Sequence, residues 1–205
     1  MSTTTTEGQP VASSPAPAAP VVGIADPAPL GLAAFAMTTL ILSLANTKTW
    51  PAGAVSAVAL AFAYGGAVQL LAGMWEFKRG NTFGATAFSS YGAFWLSFWY
   101  LETHSTIPAI AAPVVVGTFL MGWTIFTAYM TVATLRLNAA LVVVFFLLTL
   151  TFVALTIGAF HSSTGWNKLG GWLGVATAAA AWYTSFAIVL ESTFKRVVLP
   201  LYPFT

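Results

Sequence analysis

The sequence predicts an all-α membrane protein, a bundle of six transmembrane helices with both termini in the cytoplasm. Three observations carry that expectation. Of the 205 residues 58% are apolar and only 6% charged, whereas roughly 25% of an ordinary soluble domain is charged. A crossing helix needs about 20 apolar residues, so this chain holds close to the material for six spans and little for a separate soluble core. The few cations, finally, are spread unevenly over the intervening loops.

Residues 1–25 are Thr, Ser, Pro and Ala without Lys or Arg. They lack the basic start and long apolar run of a signal peptide, and the expectation is a disordered cytoplasmic tail. A six-span unit over 26–200 follows, with a short C-terminal tail over 201–205. Within it, apolar runs separated by polar or Pro/Gly-marked stretches give spans at 30–47, 53–75, 84–101, 111–134, 139–160 and 170–190. Trp50, Trp75, Trp99, Tyr100, Trp166 and Trp172 fall near their ends, where amphipathic rings favour the headgroup level. The first span starts where Asp26-Pro27-Ala28-Pro29-Leu30-Gly31 puts a capping carboxylate ahead of two prolines, which the first turn tolerates and an upstream helix would not. In the last span Gly170, Gly171 and Gly174 run into Ala178-Ala179-Ala180-Ala181, a smooth surface expected to pack tightly on a neighbouring helix, within or between subunits.

Orientation follows from charge. Lys78, Arg79, Arg136, Lys195 and Arg196 lie after spans 2, 4 and 6, and only Lys48 and Lys168 on the opposite side. The excess marks the cytoplasmic face of a multi-pass protein of the cell membrane.

Several chemistries drop out. With no Cys there is no disulfide, thiolate metal site or thiol nucleophile. His104 and His161 fall in expected external loops as solvated residues, not at metal-ligand spacing. No GxSxG, HExxH or phosphate-binding glycine loop occurs, and a net charge of +2 offers nucleic acid no track. The expectation is a protein that is not an enzyme and has no metal, cofactor or nucleic-acid partner. Passage of a small solute through the bundle remains.

Two polar stripes suit such a passage. At ~100° per residue, Gly65, Gln69, Gly73 and Glu76 of span 2 share one face. Gln69 there either lines a pore or bonds a neighbouring helix, and the glycines either widen a pore or allow close packing. Glu76, near the cytoplasmic interface, is expected in a solvated ion pair with Lys78 and Arg79 rather than in a proton relay. In span 1, Phe35, Thr39, Leu42 and Asn46 share a face of alternating apolar and hydrogen-bonding groups.

The motif Asp26-Pro27-Ala28-Pro29-Leu30-Gly31-Leu32, followed by Phe35-Ala36-Met37-Thr38-Thr39, resembles the N-P-A-P-L-G-L signature of the acetate uptake transporter family. Tyr64-Gly65-Gly66-Ala67-Val68-Gln69 with Gly73 and Glu76, then Gly80-Asn81-Thr82-Phe83-Gly84 and Ser90-Tyr91-Gly92-Ala93-Phe94-Trp95, continue the likeness, which covers roughly residues 26 to 200. Asp26 stands where the family usually has Asn. The resemblance implies a ring-shaped homo-oligomer, usually a homohexamer, whose protomers each move acetate, and sometimes succinate or related monocarboxylates, across the cytoplasmic membrane. It also implies a constriction at Phe35, Tyr91 and Leu148.

No Arg or Lys is expected inside the spans, so a carboxylate would meet only neutral donors: Thr39, Asn46, Gln69, Ser90 and the Tyr91 hydroxyl, with Asn81 of the third-span motif joining the pore-lining candidates. Such a site binds an anion weakly, and entry against a negative interior costs an anion about 2.3 kcal/mol per 100 mV. Acetic acid, or acetate accompanied by a proton, avoids much of that cost, so passage is expected to be channel-like or proton-coupled. A pore for ammonia or urea, and a non-transporting membrane sensor or scaffold, are the alternatives.

Overall fold

The computed structural model describes residues 23–204, so residues 1–22 of the expected tail, and Thr205, lie outside the described residues. Six long helices account for most of the chain: α1 (Ala28–Asn46), α2 (Gly53–Arg79), α3 (Thr82–His104), α4 (Ala112–Thr134), α5 (Ala139–Phe160) and α6 (Thr164–Phe194). Among the described residues there is no strand, only one isolated antiparallel bridge between Asn138 and Pro203. Five helices are long and apolar enough to cross a membrane by length and composition; the exception is α3, whose apolar run is diluted by serines, glycines, Glu102 and His104.

Local chemistry sets the ends. The Asp26 carboxylate accepts the Ala28 N–H at 2.9 Å and Pro29 sits in the first turn of α1, satisfying one of the amides that a helix start leaves free. Gly80, at φ 82°, closes α2 in the left-handed conformation that favours glycine. Asn81, Asn138 and Ser163 cap α3, α5 and α6 by accepting the N–H of Gly84, Leu141 and Trp166. Helix α5 begins and ends where the sequence places it, whereas two other spans extend further out. The second span, expected to stop at residue 75, runs to Arg79 because Lys78 and Arg79 complement the helix's negative end. The sixth is 31 residues long, since the Ser163 cap moves its start ahead of the glycines.

A π-helical turn over Ala63–Val68 interrupts α2, with the Gln69 N–H reaching back to the Tyr64 carbonyl. Nothing in the 3.6-residue periodicity signals it, and Gly65, Gln69, Gly73 and Glu76 stay buried across it.

The closest helix pairs are α1 with α6, α5 with α6, α4 with α5, and the C-terminal part of α2 with α3. Missing side chains permit the approach. A Cβ on Gly73 would stand 2.6 Å from the Ser89 amide nitrogen, one on Gly92 2.7 Å from that of Leu70, and one on Gly171 2.7 Å from that of Thr47. The close-packing alternative therefore accounts for Gly73, and also for Gly65, whose Cβ would lie 2.6 Å from Thr38 Oγ1. Gly174 abuts Ser43 of α1, so the smooth face of α6 meets a helix of its own protomer. Helices α3 and α4 stand apart instead, with Tyr91, Phe94, Phe119, Trp123 and Phe126 filling the space between them.

Hydroxyls join α4 to α5 through Thr124 and Thr156 at 3.0 Å and Thr131 and Thr149 at 2.8 Å. The chain end folds back on the bundle: the Ala139 and Ala140 amides donate to the Tyr202 and Leu201 carbonyls, and Tyr183 donates to the Pro200 carbonyl. Outward-facing Val55, Phe62, Leu71, Ile125, Val132 and Phe186 leave an apolar exterior, as hydrocarbon requires.

Candidate functional site

Two cavities lie inside the bundle. The larger, about 540 Å³, opens between the C-terminal ends of α1, α3 and α5 and the N-terminal ends of α4 and α6, with Asn46, Glu102, Asn167 and Thr151 on its wall. The smaller, about 50 Å³, lies toward the opposite end, between the start of α1, the end of α2 and the starts of α3 and α5. Phe35 and Leu148 line both.

Tyr91 lines the smaller cavity, its ring centroid 5.8 Å from that of Phe35. All three residues expected at the constriction are thus together, each at most 5% exposed. Tyr91 is held by Phe126 and Phe145 and by a 2.9 Å hydrogen bond to the Thr127 hydroxyl. That bond occupies the phenol, which sequence reasoning had counted among the donors open to a permeant.

The other candidates divide. Thr39 and Asn46 line the larger cavity and Asn81 the smaller. The Thr39 hydroxyl is buried without a hydrogen-bond partner, as is the indole nitrogen of Trp95 on the same wall. Gln69 and Ser90 line neither cavity. Gln69 is buried with its Oε1 unpartnered. All four members of the span 2 stripe, Gly65, Gln69, Gly73 and Glu76, are buried, with Gly65 inside the π turn.

At the helix-start motif, Pro27 is the cap residue of α1. The Pro29 carbonyl accepts from the Ser185 hydroxyl of α6 at 2.7 Å. Gly31 lies flat against the Phe88 ring, 2.7 Å from any Cβ added there. Asp26 pairs with Arg79 at 2.5 Å, tying the start of α1 to the end of α2.

That pair overturns the expectation for Glu76. Arg79 turns to Asp26, and Glu76 is fully buried beside the smaller cavity with neither carboxylate oxygen hydrogen-bonded. Its place on the same helical stripe as Gly73 was the available signal; nearness in sequence to two cations misdirected the reading. Glu102, Trp95 and Asn167 are further cavity residues that sequence reasoning passed over.

Among the described residues no Lys or Arg lines either cavity, and no three His, Cys, Asp or Glu side chains are grouped as metal ligands. The walls offer hydroxyls, amides and aromatic rings together with two carboxylates, Glu102 in the larger cavity and Glu76 in the smaller, a lining that suits a small solute with one polar end better than a bare anion.

Residues 9–205 match the sequence profile of the GPR1/FUN34/yaaH family. The chain belongs to that family. Acetate permease A of Emericella nidulans is 42% identical over 195 residues, covering 86% of this chain and 65% of its own length. The succinate-acetate/proton symporter SatP of Escherichia coli K12 is 39% identical over 180 residues, 87% of this chain and 95% of that one. A solved structure of the bacterial acetate channel SatP superposes with a TM-score of 0.82 at 38% identity, covering 87% of this chain and 99% of the other. The resemblance read from the first-span motif thus holds for the family, and these relatives are channels and transporters, not enzymes.

Proposed function

We propose that this chain is a membrane channel or transporter for acetate and related small carboxylates, succinate among them, and that the permeant crosses the narrowest point as the neutral acid or together with a proton. The observation that carries this reading is the pair of cavities meeting at Phe35 and Leu148 with no cation, among the described residues, on either wall. Stripping water from a carboxylate in an apolar ring costs several kcal/mol without a paired donor set, and the neutral acid loses far less. The related acetate permease and SatP proteins support the choice of solute.

In this reading Phe35, Tyr91 and Leu148 form the constriction, and Thr39 and Asn46 greet the acid in the larger cavity. All six helices span the cytoplasmic membrane with both termini inside, so the larger cavity faces outward. The apolar exterior serves lipid and, on one side, neighbouring copies in a homohexamer whose protomers each keep their own passage.

Uptake of labelled acetate into proteoliposomes, with and without an imposed inward proton gradient, tests the reading. Flux above protein-free vesicles, raised by the gradient and competed by unlabelled acetate and succinate, is the expected result. Competition by ammonia or urea with none by acetate would assign the passage to another solute, and absence of any flux would favour a sensor or scaffold.

A further inference from the structure

We infer that Glu76 is the proton-exchanging group of this passage, receiving the acid's proton in the smaller cavity and releasing it toward the chain-terminal side of the bundle. The inference rests on the acetate reading above and extends it to a residue. Glu76 is the only carboxylate lining that cavity among the described residues, and it is fully buried with both oxygens unpartnered. An ionisable side chain kept inside a membrane bundle without a structural partner is a functional group by default. A buried ionised carboxylate with no counter-ion costs far more than the neutral acid, so a purely structural role would leave Glu76 an expense without a return.

The surroundings let it exist in both forms. The carboxylate lies at the N-terminal end of the 23-residue helix α3, where the helix's positive end favours negative charge. Glu76 and Asn81 converge on Gly84: a Cβ there would stand 2.8 Å from Glu76 Oε1 and 2.6 Å from Asn81 Nδ2. Gly84 therefore leaves the space in which the two heads meet. From α2 itself Arg79 is the nearest cation, already engaged by Asp26 at the start of α1. From α3 Tyr91 lines the same cavity with its hydroxyl bonded to Thr127. From α5 the wall is Leu141, Val144, Phe145 and Leu148, without a titratable group. The Asn81 amide beside it serves either form, as donor to the carboxylate or acceptor from the acid, and among the described residues no cation pairs with Glu76 to hold it in one protonation state.

The step balances. A carboxylic acid that has passed Phe35 and Leu148 gives up its O–H proton; that O–H bond breaks and one forms on Glu76. The carboxylate leaves as an anion toward water, and Glu76 then gives its proton to water on the same side. Run backward, the same transfers load an outgoing anion.

The test compares labelled-acetate flux of the parent and Glu76→Gln in proteoliposomes at pH ~7 and pH ~4, the latter near the carboxylate range, where much of the permeant arrives already protonated. The expected result is a neutral-to-acid flux ratio about a hundredfold lower in the variant, the scale of losing a positioned proton-transfer group. A ratio equal to the parent's, whatever the absolute rates, overturns the inference. If the variant does not assemble, a hydrophobic carbodiimide, which attacks protonated carboxyls in apolar sites, is applied to the folded parent. Modification of Glu76, found by mass spectrometry and accompanied by loss of neutral-pH flux, supports the assignment; an unmodified Glu76 at every pH, or undiminished flux after modification, overturns it. A parent with no flux above protein-free vesicles refutes the transport reading instead.

Discussion

At the scale of single residues, Phe35 and Gln69 mark what a helical face reveals and what it conceals. Phe35 is the largest purely apolar side chain shared by the two cavities, and an apolar ring discriminates by the water it makes a solute shed. Phe35→Ala should therefore lower the acetate-to-succinate uptake ratio, at a cost of about 3 to 5 kcal/mol in stability for the buried volume removed. Parallel uptake of the two labels, with a thermal melt of the same preparation, checks both. Gln69 has an unpartnered buried oxygen away from either cavity. Removing an unmatched polar group in favour of an apolar one of similar shape is close to neutral, so Gln69→Leu should leave uptake unchanged and the melting temperature equal or higher. Gln69 was legible as a candidate because amides are rare in lipid-spanning runs, and Phe35 through the resemblance carried by the first-span motif. Their roles diverge on contacts that spacing along one helix does not encode. The same holds for Arg79, whose partner is Asp26, far away in sequence, and not Glu76 one turn back.

At the scale of elements, the helices were readable because hydrophobic runs of membrane length leave little choice, and the Asp-Pro, Gly-Asn and Ser stops that separate them are chemically explicit. Which glycine meets which helix was not readable, since a glycine says only that something comes close. Gly174 meets Ser43 and Thr151, both within the same protomer. Gly174→Leu should consequently lower the thermal stability of the detergent-purified protein by a few kcal/mol, as overpacking does, while the mass of the assembly by light scattering stays that of the parent. Glu191 and Lys195 stand four residues apart, the spacing of a helical ion pair, but Lys195 turns into the left-handed region at φ 57° and leaves the helix. No ion pair joins them among the described residues.

At the scale of the whole molecule, the two cavities differ about tenfold in volume, so a solute meets a wide chamber on one side of Phe35 and Leu148 and a tight one on the other. If the solute crosses as a neutral acid, membrane voltage does little work on it. A full anion would gain or lose about 2.3 kcal/mol per 100 mV, roughly fiftyfold in equilibrium distribution. Clamping proteoliposomes at 0 and −100 mV with potassium and valinomycin should thus shift acetate accumulation by much less than that factor, while a change in the proton gradient moves it strongly. The bundle was foreseeable from composition. The chamber was not, because its wall includes bulky side chains from two separate helices, Phe94 and Phe119 among them, stacked between α3 and α4.

The π turn in α2 has a genetic side. A turn of this kind accommodates one extra residue in an otherwise α-helical run, so a single codon separates this helix from an uninterrupted one. Deleting Gly66 would let the turn relax into plain α-helix while the two halves keep their relative facing, so Gly73 would stay against Ser89 and Glu76 in its cavity. Losing a residue outside Ala63–Val68 would instead swing everything beyond it by about 100°. A one-residue gap in this span among related chains should therefore fall within Ala63–Val68 and not elsewhere between Gly53 and Gly80.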